Sequence, residues 1–245
     1  MKSRQGFSLI EMAFVLVIVT LLLGGLLVPF TTQVEQKRIA ETQKAMEEIK
    51  EALLGFAVAN KRLPCPAKSP TDGTELGSCS TSPANSGLLP ATTLGVGKLD
   101  AWGHQYRYIV SPDFTAPFAL PPGTGTCPTS NNPCSIIKVN TRDASGNLSA
   151  LSNGAVAVII SLGKNGYGGY NSDGQRAVLP NGNTDESFNA DMNNAISFFS
   201  RTQVGPRIPC RDIAGSTALC EFDDLVTWLS PNVLFNRMVA AGKLP

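Results

Sequence analysis

The hydrophobic pattern divides the chain into one long apolar block, one amphipathic stretch and a remainder written in short alternating pieces. From Phe7 to Phe30 run 24 residues with a single ionisable side chain, Glu11. At about 1.5 Å per helical residue, that length crosses the roughly 30 Å hydrocarbon core of a bilayer. The pattern then changes without a break. In 31–62, Ile39, Met46, Ile49, Leu53 and Phe56 recur at spacings of seven, three, four and three, with Glu and Lys on the opposite side. Such a stripe predicts an amphipathic helix that lays one face on a sheet. Leu63-Pro64-Cys65-Pro66 stops it, because two prolines remove donors and restrict the residues before them. The combined helix, Phe7 to about Asn60, would be roughly 80 Å long.

Beyond it the periods shorten. Residues 67–100 read as a Ser/Thr/Gly/Pro loop, and Gln105–Val110 as a strand with Tyr106, Tyr108 and Val110 on one side and Gln105 and Arg107 on the other. A second Pro/Gly loop covers 111–134, Ser135–Val139 gives a short strand, and Asp143–Asn147 a turn. Ala155–Ser161 is continuously apolar up to its last residue and predicts a central strand buried on both faces, lying on the N-terminal helix. Phe188–Phe199 fits a helix or a strand. Asp223-Asp224 reads as the cap of a short helix through Leu229, and Ser230-Pro231 as the cap of another, with Val233, Leu234, Met238 and Val239 apolar and Gly242 as its stop. The fold class expected is α+β: a long helix on a small antiparallel sheet, with loop-rich connections and short C-terminal helices.

Charge sets the orientation of the apolar block. Lys2 and Arg4 precede it, whereas Glu35, Lys37, Arg38 and Glu41 cancel behind it, so the short N-terminus stays cytoplasmic and the rest faces outward. A cleavable secretory signal fits less well, since the block is long and no A-x-A-like site precedes Pro29. The net charge is +1, and loss of Lys2 and Arg4 with a leader leaves 18 basic against 19 acidic side chains. That balance offers nucleic acid no general attraction. Six cysteines, Cys65, Cys79, Cys127, Cys134, Cys210 and Cys220, all fall on the outer side, where an even count suggests disulfides. Each neighbouring pair brackets a Pro-, Gly- or Ser-rich loop, which favours 65 with 79, 127 with 134 and 210 with 220. Zinc is a weaker reading: no C-x-x-C occurs and His104 is the one histidine.

Glu11 is the residue neither a signal nor a plain anchor explains. A carboxylate five residues into hydrocarbon costs a few kcal/mol unless it snorkels or finds a partner. Gly6-Phe7-Ser8-Leu9-Ile10-Glu11-Met12, behind a basic leader and ahead of an apolar helix, resembles the N-terminal signature of type IV prepilins and of the pseudopilins of type II secretion. The resemblance implies a membrane-embedded prepilin peptidase that cuts after Gly6 and methylates the new amine of Phe7. It implies also that Glu11 pairs with the Phe7 amine of a neighbouring subunit as monomers leave the membrane for a helical filament. Pro29 stands one residue later than the helix-kinking proline of many pilins. The family shape is a lollipop, here with a leader at 1–6, a membrane and filament-core helix at 7–30, an amphipathic helix at 31–62, a β head at 63–185 and a C-terminal extension at 186–245.

Within the head, Gly87-Leu88-Leu89-Pro90 followed by Asp100-Ala101-Trp102-Gly103-His104-Gln105-Tyr106-Arg107-Tyr108 looks like the major pseudopilin of type II secretion. The residues by themselves read as core and turn chemistry. Ser161-Leu162-Gly163-Lys164-Asn165-Gly166-Tyr167-Gly168-Gly169 is similar to the S-L-G-x-D-G-x-x-G-G loop of the same proteins, in which calcium commonly stiffens the fold. Asn165 replaces the usual aspartate, leaving Asn165, Asn171 and Asp173, or Asn181, Asn183 and Asp185, as candidate ligands. An Asn/Gly turn held by its own backbone bonds is the favoured alternative.

Three functional classes compete. The first is a non-catalytic filament subunit of a type IV pilus or type II secretion pseudopilus, minor in abundance. Its partners would be the peptidase, other pilin or pseudopilin subunits, inner-membrane lipid and an assembly platform with its own ATPase, since no nucleotide-binding motif is present. Its site would be the inner membrane, with a periplasmic head, and then the filament. The second is a tip adhesin or DNA-uptake pilin, for which Arg201, Arg207 and Arg211 form the one candidate basic patch. The third, an anchored enzyme, lacks a Ser/His/Asp order, an H-E-x-x-H or a nucleophile elbow.

Overall fold

In the computed structural model, residues 8–81, 85–117, 135–179, 184–194, 196–216 and 218–244 are described, with 22–30 described in the backbone alone. Helix α1 spans Leu9–Asn60, and the backbone stays helical through Pro29. The chain forms two compact units, 1–41 and 42–245. Within the described part of the first, α1 carries solvent-facing apolar side chains up to Leu21 and, further on, an exposed Lys37–Glu41 pair at 3.7 Å.

The second unit starts with the last turns of α1. Thr42, Met46, Ile49, Leu53, Leu54 and Ala57 are buried, a stripe at helical spacing, while Ile39 and Phe56 are only half covered. The Arg62 guanidinium lies 5.2 Å from the centre of the Phe56 ring, which explains the latter. The helix ends at Asn60 because Lys61 adopts a left-handed conformation, φ 57°, and its amide closes on Ala57. The following loop is fastened by the Cys65–Cys79 disulfide and by a 2.7 Å Arg62–Glu75 pair, whose hydrogen bond holds the Glu75 carboxyl below its ordinary range.

The remaining elements are β1 Ser86–Leu88, α2 Ala91–Leu94, β2 Arg107–Val110, a 3-10 turn at Pro112–Phe114, β3 Lys138–Arg142, β4 Leu148–Asn153, β5 Ala157–Ser161, α3 Asp185–Ala190, β6 Ser197–Phe199, β7 Leu225–Leu229 and α4 Pro231–Ala240. They build an antiparallel sheet in the order β1-β2-β5-β7 and a second sheet β4-β3-β6, in which β3 and β6 run parallel. The period of two along β2 and β5 explains why there are two cores. Tyr108, Val110, Ala157 and Ile159 face Met46, Ile49 and Leu53 of α1, together with Leu234, Phe235 and Met238 of α4. Ile109, Val158 and Ile160 face Ile137, Val139, Ala190 and Phe198. Strand β5 is therefore central and covered on both faces, as its unbroken apolar run predicts.

Several expectations change. The strand expected at 135–139 sits three residues later. Short elements β1 and α2 interrupt the loop expected over 67–100, and β4 and the second sheet had no counterpart in the sequence reading. Residues 225–229 form a strand rather than a helix. Val226, Thr227 and Trp228 suit a pleated surface, and β7 pairs antiparallel with β5 from Leu225↔Ser161 to Leu229↔Ala157. The C-terminal helix does begin at Ser230, whose hydroxyl accepts from the Val233 amide, with Pro231 in its first turn and Gly242 at φ 65° after its end. Val233 and Val239 are exposed, and Phe235 takes their place in the core. Phe188–Phe199 resolves into α3, a turn and β6. Among the described residues the architecture is α+β, with an N-terminal helix, an antiparallel sheet, the disulfides Cys65–Cys79 and Cys210–Cys220 and one short C-terminal helix.

Candidate functional site

At the N-terminus, the first helical residue is Leu9, and Ser8 stands before it. Glu11 reaches back so that its Oε2 accepts from the Ser8 amide at 3.3 Å, while the Met12 amide bonds Ser8 O at 3.1 Å. This is the reciprocal half of a capping box, and Ser8-x-x-Glu11 is its sequence signal. A carboxylate in the first turn also complements the helix dipole. Around it the side chains are bare: Leu9 is 92% exposed, and Ile10, Phe14, Leu16 and Leu21 are exposed as well. Among the described residues no helix is long and apolar enough to cross a membrane. Gly6 and Phe7 lie outside the described residues, as do Cys127, Cys134, Asn181 and Asn183.

In the head the two glycine-containing motifs meet. Asp100 is buried and accepts from the Trp102 and His104 amides through Oδ1, at 3.0 and 2.9 Å. Its Oδ2 accepts from the Ser161 hydroxyl at 2.6 Å. The His104 ring contacts Gly163 O at 3.0 Å, and Gly166, at φ +60°, approaches the same ring so closely that a Cβ would lie 2.4 Å from it. The arrangement is a brace between the turn before β2 and the end of β5 with the loop after it. It is not a nucleophile relay: Ser161 is buried and donates directly to the carboxylate, with no imidazole on its oxygen.

The loop continues into a carboxylate cluster. The Asn165 amide donates to Asp223 Oδ2 at 2.9 Å, and its Nδ2 donates to both oxygens of Glu186 at 3.2 Å. Glu186 Oε1 accepts from the Asp223 amide, and the buried Asp224 accepts from Asn189 Nδ2, both at 2.9 Å. One oxygen from each of Glu186, Asp223 and Asp224 lies within 4.8 Å of the others. The three candidate calcium ligands go separate ways. Asn165 joins this cluster, Asn171 offers its carbonyl to Gln105 Nε2, and Asp173 Oδ1 accepts from the Gln175 amide in its own turn. Asp185 is also committed elsewhere, to Arg142 and Arg201 at 2.9 Å.

Burial pushes Glu186 up to about 7, and the neighbouring Asp223 and Glu221 add to the rise. Burial with Glu186 alongside pushes Asp224 up too. A carboxyl whose pKa is higher folded than unfolded contributes stability that is complete below the unfolded value, about 4.5, and is lost as pH rises through about 7. Glu186→Gln is therefore expected to raise stability by on the order of 2 kcal/mol at about pH 8 and by much less at about pH 4. Urea unfolding of both proteins across that range checks it.

Residues 1–27 match the family model for the prokaryotic N-terminal methylation motif. The N-terminus is a type IV prepilin-like signature. Such a signature supports a type IV pilin-like protein processed by prepilin peptidase, and the α+β architecture is consistent with a pilin-like fold. No curated protein and no solved structure matches the chain significantly.

The signature spans Glu11 but not the head, where the residues that cluster are harder to see in the sequence. Glu186 lies 37 residues from Asp223, and Asp223-Asp224 has the local form of a helix cap. The basic patch is smaller than the sequence suggested: the Arg201 side chain is 1% exposed, held by Asp185 and Asp212 and stacked 4.5 Å from the Phe222 ring centre. Arg207 and Arg211 remain at the surface. Cys210 and Cys220 are bonded to each other.

Proposed function

We propose that the chain is a non-catalytic structural subunit of a type IV pilus-like or type II secretion pseudopilus filament, and a minor one, given its enlarged head. The observation that carries this reading is the prepilin-like signature on a helix whose apolar side chains are bare to residue 21 and whose one ionisable group there is Glu11. Cleavage after Gly6 by prepilin peptidase and methylation of the Phe7 amine produce the mature end. Residues 7–30 hold the subunit in the inner membrane, N-terminus cytoplasmic, and later form the filament core. Residues 31–62 join that core to the periplasmic head. An assembly platform with an ATPase supplies the work of extraction.

Glu11 has two oxygens for two tasks. Oε2 closes the start of its own helix, and Oε1 has no partner among the described residues. A neighbouring Phe7 amine placed there neutralises a charge that hydrocarbon does not tolerate alone. Glu11→Ala is expected to be cleaved normally but to drop at least tenfold in sheared filaments relative to the membrane pool. Glu11→Gln, which keeps the cap and loses the charge, should fail similarly. Immunoblotting of both fractions checks this, and filaments at wild-type level from Glu11→Gln would remove the charge pairing from the account.

A further inference from the structure

Between α3 and the loop closed by Cys210–Cys220 lies an open groove of about 490 Å³, lined by Tyr167, Val178, Leu179, Glu186, Ile208 and Glu221. Its rim is apolar and uncovered: Ile208 is 98% exposed and Val178 80%, with Leu179 and Tyr167 also in solvent. Single exposed apolar residues are ordinary, but four around one concavity mark a contact surface. Its other wall is acidic. Glu186, itself buried, lines the groove and belongs to a trio with the half-buried Asp223 and the buried Asp224, and Glu221 stands beside it.

We propose that this groove docks a polypeptide segment of a partner in which a lysine or arginine is flanked by apolar side chains, the cation directed at Glu186 and the apolar groups against Val178 and Ile208. The charge complementarity is specific. The groups facing Glu186 are Asn165 from the loop after β5, Asp223, Asp224 and Glu221 from the segment before β7, and Arg107 from β2, which acts on Asp224. Arg107 is already committed to the carbonyls of Asn189, Asp191 and Asn194. Arg207, on the groove's rim, is exposed, where water and salt screen it. The buried wall thus carries an excess of carboxylate that an incoming cation neutralises, while the apolar rim selects a side chain on a peptide over a hydrated ion. Burial keeps Glu186 partly protonated near neutrality, so docking strengthens as pH rises through about 7. One groove of this size gives a weak contact, suited to a transient or repeated partner. The inference does not rest on the filament reading.

The test uses the full chain in nanodiscs of zwitterionic lipid, with empty discs as blank. The probe is a fluorescein-labelled acetyl-Leu-Lys-Ile-Lys-Leu-amide, followed by fluorescence anisotropy. Saturable binding is expected, weakened about tenfold by Glu186→Gln, by Ile208→Ser and by a shift from about pH 8 to about pH 5. Ile208 is fully exposed, so its variant leaves the fold intact and keeps the test valid if Glu186→Gln perturbs the cluster. The same peptide with glutamate for lysine should not bind. Absence of saturable binding, equal binding of the glutamate peptide, or wild-type affinity in both variants would overturn the proposal.

Discussion

Asp185→Ala is expected to destabilise the head by about 3–5 kcal/mol. The Asp185 side chain is fully buried where two guanidiniums converge: Arg142 Nε at 2.9 Å from Oδ1 and Arg201 Nε at 2.9 Å from Oδ2. Asp212 completes the set, 3.2 Å from Arg201 Nη2, and its other oxygen accepts from the Asp185 amide at 2.9 Å. Burial raises the Asp185 carboxyl above its ordinary range although both arginines pull it down, which shows how far the site is from water. Removing the carboxylate leaves Arg201 with half its compensation and no route to solvent, and the cost of an uncompensated buried charge exceeds the net value of the pair. Arg142 suffers less, because it is partly exposed and also donates to Gly146 O at 3.1 Å. Urea titration of the full chain, followed by the fluorescence of Trp102 and Trp228, should show a lower midpoint with an unchanged slope. A shift of less than about 1 kcal/mol would mean that the network is not a buried one.

Arg107→Met is expected to cost a similar amount, about 3 kcal/mol or more, but to act locally. Arg107 comes from a strand and ends among carbonyls. Its Nη1 donates to Asn189 O in a short contact, and its Nη2 to Asp191 O, Asn194 O and Ser86 Oγ at 2.5, 2.6 and 2.8 Å. It thereby ties together carbonyls of α3 and the turn after it, while the Phe198 ring covers the guanidinium at 5.1 Å. Burial pulls its pKa down to about 9, still ionised at neutral pH. Methionine matches the stem and pairs none of these acceptors. Hydrogen exchange should therefore speed up most over 185–199, with the buried stripe of α1 affected only through the global loss. Arg107→Lys restores little, since an ammonium cannot span carbonyls spread along a turn as a planar fork does. Uniform loss of protection across the head would contradict the local role.

These two residues also show where the sequence ceases to be readable. An alternating strand with arginine on one side is ordinarily half solvated, but Arg107 is not. It is buried because a second sheet and α3 cover that face, and those elements lie 30 to 90 residues further along. Asp223-Asp224 before Leu225 has the form of a helix cap, but pairing with β5 overrides it, and the two carboxylates accept from the Asn165 amide and from Asn189 Nδ2 instead. Where the signal is local, reading is easier. The unbroken run of β5, the Asp143–Asn147 turn with its Asp143 Oδ1 accepting from the Ser145 and Asn147 amides, and the Ser230-Pro231 helix start are each set by neighbours within a few residues. The N-terminal signature belongs to this second kind. Its chemistry is written in consecutive positions, so the signature is legible from sequence while the carboxylate trio of the head is not.

The central claim is that this chain is processed as a prepilin, and intact mass with N-terminal sequencing of the protein from membranes of a host carrying a prepilin peptidase tests it most directly. The account predicts a chain that begins at N-methylated Phe7 in the wild type and in Glu11→Ala alike. A chain that still begins at Met1, or one cut downstream of Phe30, would contradict it and leave an ordinary anchored or secreted α+β domain.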